Sequence, residues 1–153
     1  EAQLQLGSSK RTIFVLNNHF LSMSAGELAT EPRRIAQAAW NLEILKQIRQ
    51  ENPHAMVLIL GDLNSYYNSP PIDILREGGF FHTMDLLSPD ERYTYIYQGI
   101  AQVLDHILVS NDYQNLIASV DILHVNADYP IQMPDDRSAI HKSDHDPVVV
   151  TFH

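Results

Sequence analysis

The chain has 153 residues, enough for one domain with a core of its own and too few for two. Its 19 acidic and 10 basic side chains leave a net charge of −9, which excludes a broad basic surface for gripping nucleic acid. That balance is compatible with a protein that meets phosphate through bound cations. There is no cysteine, which excludes disulfides and thiolate ligands, and no apolar run reaches membrane-spanning length. Residues 1–10 have neither the basic start nor the apolar stretch of a signal peptide.

Residues 1–10 carry no pattern and read as poorly structured, a loop or a ragged end around Gly7-Ser8-Ser9. Residues 12–16 lack the polar alternation of a half-exposed strand and read as a strand covered on both faces. It ends in Asn17, Asn18 and His19, and a period of two puts Asn17 and His19 on one face and Asn18 on the other. Thr30-Glu31-Pro32 is predicted to open a helix capped by Thr30. Its apolar stripe runs through Ile35, Ala38, Ala39, Leu42, Leu45 and Ile48 and stops before Pro53. Residues 56–60 repeat the doubly apolar pattern and lead into Gly61-Asp62-Leu63-Asn64. Ser69-Pro70-Pro71 caps a short helix to about Glu77, ended by Gly78-Gly79. Tyr93, Tyr95 and Tyr97 alternate in a strand that turns near Gly99, with residues 104–109 as its expected antiparallel partner. Residues 120–125 and 147–152 are the last strands, and residues 126–143 form a long loop. The order predicts a single α/β domain over 1–153, with a mixed β-sheet and both helices on one face.

Side chains capable of chemistry collect at strand ends. His19 and the pair Asp62 and Asn64 follow the C-terminal ends of two strands, while Asp105 and Asp144-His145 precede two others. If the second pair runs against the first, all of them meet at one edge of the sheet. Three carboxylates, one amide and two imidazoles then share a site, a donor set suited to Mg²⁺, Mn²⁺ or Ca²⁺ far better than to zinc. His106 follows Asp105 and must point to the opposite face. His54, His82, His124 and His141 have no zinc-site spacing. Arg33 and Arg34 read as solvated helix residues, and the three tyrosines as cross-strand packing.

Four segments resemble the endonuclease/exonuclease/phosphatase superfamily, the deoxyribonuclease I-like proteins. They are Asn17-x-His19; Gly61-Asp62-Leu63-Asn64; Tyr93-Thr94-Tyr95 leading into Leu104-Asp105-His106-Ile107; and Ser143-Asp144-His145-Asp146-Pro147-Val148 just before the last strand. The resemblance covers nearly all of residues 11–152. Ser65-Tyr66-Tyr67 and residues 124–130 are most similar to bacterial nuclease-like members, which are often secreted, so the resemblance favours an extracellular or periplasmic location.

The resemblance implies the C-terminal half of a four-layer α/β/β/α sandwich, in which two sheets pack face to face with helices outside. It implies phosphoester hydrolysis dependent on Mg²⁺ or Mn²⁺, with Ca²⁺ as an alternative, acting foremost on the phosphodiesters of nucleic acid. Phosphomonoesters and lipid phosphodiesters are the alternative substrates, and a non-catalytic half-domain is the alternative role. By the same resemblance Asp144 ligates the metal, and Asp62 and Asn64 orient the attacking water or hold a second ion. His145 contacts the scissile phosphate with Asp105 holding its ring, and His19 donates to another phosphate oxygen or assists the leaving group. Whether Asp62 or His145 takes the proton stays open. Family members also carry an earlier Asn and a metal-ligating Glu, which nothing in residues 1–10 resembles. The chain is therefore expected to be incomplete as an enzyme. Its open sheet face would be covered by a missing N-terminal half or by a second copy.

Overall fold

Two apolar runs without alternation require the interior of a sheet, where both faces are covered. The computed structural model describes residues 2–6, 9–130, 133–138 and 140–153 and places the two runs side by side there. In chain order the elements are β1 (Ala2–Leu6), β2 (Ser9–His19), α1 (Glu27–Glu51), β3 (Met56–Asp62), α2 (Pro70–Glu77), β4 (Phe80–His82), β5 (Tyr95–Tyr97), β6 (Ile100–Gln102), β7 (Asp105–Ser110), β8 (Ile117–Ile122) and β9 (Val148–Phe152). The main sheet is mixed, in the order β1-β2-β3-β7-β4. β2 and β3 are parallel and joined through α1, and β7 runs against β3 and β4. β5 pairs with β6, and β8 with β9.

Both helices cover one face. Val57, Ile59 and Leu108 from that face form the larger core with Ala38 and Leu45 of α1 and Ile72 and Leu75 of α2. On the other face Tyr113, Ile117 and Phe152 pack over Ile13, Met56 and Val109. The second face is therefore covered at one end by β8 and β9, which corrects the expectation of a fully open face. Toward the site end Val15 remains 45% exposed, and Leu58, Leu60 and Ile107 are half-buried.

Several local expectations are corrected. Residues expected to be poorly structured form β1 and the start of β2, since the pairing of β1 with Ser9 to Ile13 satisfies their backbone groups. Gly7 and Ser8, and positions 131, 132 and 139 of the long loop, lie outside the described residues. Helix α1 begins a turn before Thr30, with Gly26 as its cap and Pro32 inside it. Thr30 Oγ1 donates to Gly26 O at 2.7 Å, and Arg34 Nη2 donates to Glu27 O at 3.0 Å. Side chains thus add donors to the first carbonyls of the helix. Arg34 is consequently not solvated but 2% exposed, whereas Arg33 is on the surface. The buried line of α1 is Thr30, Arg34, Ala38, Asn41 and Leu45, and Ala39 faces outward.

Ser69 precedes α2, but its hydroxyl donates back to Tyr66 O at 2.6 Å. The first two helical positions are prolines without an N–H, and the next N–H, that of Ile72, donates to the backbone oxygen of Ser69 at 2.9 Å. The partner of β5 is β6, not residues 104–109, because β7 is taken up by β3 and β4. The penultimate strand ends at Ile122 instead of residue 125.

One position fixes how closely β2 and β3 approach. Gly61 has φ +121°, and a Cβ there would lie 2.0 Å from the backbone oxygen of Asn18. Gly61→Ala is expected to destabilise the protein by more than ~2 kcal/mol in urea titration. Gly79→Ala, at φ +98° with nothing within 4 Å, should cost only the backbone strain of about 1 kcal/mol. Equal costs at the two positions would refute the collision.

Candidate active site

The strand registers bring the chemistry together. His19 on β2 is the register partner of Asp62 on β3, and Asp62 that of Asp105 on β7. The parallel β2 and β3 end where the antiparallel β7 begins, so all three side chains stand at one edge, on the face away from the helices. His19 Nε2 lies 3.5 Å from Asp62 Oδ2, with its side chain 76% exposed. His145, from the segment before β9, has its Nδ1 2.6 Å from Asp105 Oδ2.

Beyond β3 the chain turns sharply. Asn64 adopts φ +45°, a conformation that asparagine tolerates better than most residues. Its N–H donates to Asp62 Oδ1 at 2.8 Å. Its amide nitrogen donates to Phe20 O and to Asp62 Oδ2, both at 3.1 Å. Both amide protons are thereby used, and a ligand would meet the carbonyl oxygen. A cavity of about 620 Å³ opens over this edge, lined by His19, Asp62, Asn64, His145 and, on its flanks, Tyr66, Tyr95 and Tyr97.

The electrostatics follow from crowding. Burial holds the Asp62 carboxyl above its ordinary range; the Asn64 N–H opposes this, and the facing Asp105 reinforces it. The hydrogen bond with Asp105 raises the pKa of His145 against the effect of burial, with help from the charges of Asp62 and Asp144. This favours the charged form of the imidazole and leaves Nε2 for a ligand. Asp144 is exposed and acts on His145 and Tyr95 only through its charge. The donors here are hard oxygens of net negative charge, which fits a small divalent cation.

The structure also assembles groups that the sequence reading passed over. Asp146 is 1% exposed. Its Oδ1 accepts the N–H groups of Val125, Asn126 and Ala127 at 3.1, 2.8 and 3.1 Å, and its Oδ2 lies 3.0 Å from His124 Nδ1. Asn126 Nδ2 donates to the backbone oxygen of His145 at 2.7 Å. His124 also stacks on Tyr93, whose hydroxyl donates to Asp128 at 2.9 Å. Burial, and then that bond, raise the Tyr93 pKa to about 12. Among the described residues, His124, Asp128 and Asp146 are the group of three whose ligand atoms lie within 4.8 Å of one another and so could hold a metal ion. Four N–H donors already occupy Asp146, which makes it foremost an anchor for the segment carrying His145. In the sequence these residues stand inside the resembling segments, with no spacing that marks them as ligands.

His106 faces the helices, buried, as expected from its neighbour Asp105. The N–H of Met84 donates to His82 Nδ1 at 3.2 Å. That leaves the His82 Nε2 proton for His106 Nδ1 at 2.8 Å, and the His106 Nε2 proton for Ser65 O at 2.8 Å. The relay fixes Ser65, beside Asn64, from behind the site.

Residues 5–127 match the Endonuclease/Exonuclease/phosphatase family, and the chain belongs to that family. The match ends ahead of Asp144 and His145. Among solved structures, truncated TDP2 of Caenorhabditis elegans is similar with a TM-score of 0.59 at 22% identity, over 95% of this chain and 55% of that one. The 3'-5' exonuclease NExo of Neisseria meningitidis gives 0.62 at 19%, over 90% and 60%. An AP endonuclease from Archaeoglobus fulgidus gives 0.58 at 18%, over 92% and 61%. At such identities the likeness is one of fold, and the chain spans less than two thirds of each of these structures. No curated protein sequence matches it.

Burial keeps both relay histidines neutral, with His82 well below the usual imidazole range and His106 lowered to about 4. The unfolded chain takes up these protons near pH 6.5 and the folded one does not. The contribution to stability is therefore complete above pH 6.5 and declines as pH falls toward 4, by at most about 1.4 kcal/mol per pH unit for each proton. Urea titrations between pH 7.5 and 4.5 should show this slope. In His106→Gln, which can still accept and donate but cannot titrate, it should flatten.

Proposed function

We propose that this chain carries the C-terminal half of a divalent-metal-dependent phosphoesterase that hydrolyses phosphodiester bonds of nucleic acid. The observation that supports it most is the convergence of the Asp105 and His145 dyad, His19, and the Asp62 and Asn64 pair on one cavity. In this reading His145 Nε2 donates to a non-bridging oxygen of the scissile phosphate, while Asp105 fixes the ring and favours its charged form. Asp62 and Asn64 position the attacking water, and the raised pKa of Asp62 makes it the better placed base. His19, largely exposed, reaches another phosphate oxygen or the leaving group. Mg²⁺ or Mn²⁺, held by Asp144 with Asp62 and Asn64, would offset charge on the phosphoryl oxygens. Phosphomonoester hydrolysis at a strand end is a second reading, since the Neisseria relative is described both as an exonuclease and as a 3' phosphatase bound to product DNA hairpin.

In the full-length protein, cleavage of a labelled oligonucleotide should require Mg²⁺ or Mn²⁺ and stop with chelator. Asp62→Ala, Asn64→Ala, His145→Ala and His19→Ala should each lower turnover by roughly a hundredfold. Near-normal turnover in His145→Ala would reject the assigned roles, and chelator-resistant cleavage would reject the metal.

The exposed strip at Val15 supports a further part of the reading, that polypeptide covers the site end of this sheet face. The cover is the remaining half of the family fold, or else a second copy. Burial at about 25 cal/mol per Å² drives either. This chain alone should sediment as a dimer or larger species at micromolar concentration, and Val15→Lys should shift it toward monomer. A monomer that binds no apolar dye would contradict the reading.

A further inference from the structure

The hairpin of β5 and β6 stands apart from the main sheet. Its strands pair with each other, and a single bridge links Tyr95 to His145. Gln98 and Gly99 both have positive φ, at 50° and 79°. This is the two-residue turn that matches strand twist and locks the register. Tyr95 and Tyr97 therefore share one side of β5, with rings 14° apart in plane and 6.4 Å between centroids. The Tyr95 ring is 4.7 Å from that of His145, while Tyr97 is 52% exposed. A row of flat aromatic faces thus leads away from the dyad along the cavity wall.

Among the described residues, the cavity lining contains no Lys or Arg. Lys46 pairs with Glu43, Arg49 with Asp112 and Arg76 with Asp85, while Arg33 is exposed outside this lining. Arg92 donates to Leu87 O and Tyr67. A duplex is held by many phosphate contacts, and an inositol polyphosphate by a cluster of cations; neither is offered here. A quaternary ammonium headgroup is enclosed by rings turned toward it, whereas these rings lie nearly parallel. Parallel faces beside a phosphate site suit a nucleobase, which stacks whatever its identity.

Resting on the phosphoesterase reading, we propose that Tyr95 and Tyr97 form a nucleobase subsite, and that the substrate is single-stranded or frayed nucleic acid whose base beside the scissile phosphate stacks on Tyr97. The test uses the full-length protein and a phosphorothioate single strand, compared with the same strand bearing an abasic residue beside the target linkage. Fluorescence anisotropy should show the base-bearing strand bound about tenfold more tightly. Tyr97→Ala should remove most of that preference, and Tyr97→Phe should keep it. Affinity should fall less than ~10-fold between low and physiological salt. Equal binding of the two strands, preference that survives in Tyr97→Ala, or displacement of the strand by phosphocholine or an inositol phosphate would overturn the inference. A protein that cleaves phosphodiesters yet ignores the base refutes this subsite alone. One that selects the base yet hydrolyses no phosphoester refutes the phosphoesterase reading alone.

Discussion

Asp62 and Asp105 are register partners across the ladder of β3 and β7, so two carboxylates face each other at adjoining strand ends. Burial, reinforced by the like charge of Asp105, raises the pKa of Asp62. Two imidazoles stand against these carboxylates. His145 closes on Asp105 and becomes easier to protonate, and His19 stands beside Asp62. What those groups leave uncompensated is negative charge at the cavity floor. Crowding of the carboxylates therefore links the sheet topology to the electrostatics of the cavity. It depends in turn on Gly61, where β2 and β3 approach too closely for any side chain.

His145 comes from far along the chain, and its placement depends on a different carboxylate. Asp146 gathers three successive backbone N–H groups and the ring of His124, and its own N–H donates to Thr94 O at 2.8 Å. Thr94 Oγ1 in turn accepts the N–H groups of Leu104 and Asp105, both at 3.1 Å. A continuous set of hydrogen bonds thus connects the segment before β9, the long loop and the start of β7. Each buried donor that finds Asp146 avoids a penalty of roughly 1–3 kcal/mol. Loss of that anchor would release His145, while Asp105 stays in the ladder of β7 and β3.

Read alone, the sequence pointed to the family and to most of the polar residues that line the cavity, because strand ends, turn residues and motif order are local properties. The doubly apolar runs announced a sheet interior, and Gly61-Asp62-Leu63-Asn64 announced a turn rich in ligands. His106 was excluded by period two alone, and the structure buries it on the helix face. Local signals misled where a tertiary partner outweighed them. Arg34 is charged and was read as solvated, yet carbonyls at the helix start hold it inside. Thr30 reads as a cap, yet its hydroxyl serves the interior of a longer helix. Residues 104–109 read as the partner of β5, but competition among strands for partners is settled only when the whole sheet forms.

The tertiary structure alone decided which distant groups meet. Nothing local relates His124 to Asp146, or aligns Tyr95 with the ring of His145, because those contacts are set by the register of separate hairpins. Nor could spacing reveal that β8 and β9 close one end of the second sheet face and leave the site end open. Residue types and their order along the strands determined which chemical groups the chain carries. Distances of a few ångströms between strands, fixed by pairing and close packing, decided which of those groups meet and the shape of the cavity they line.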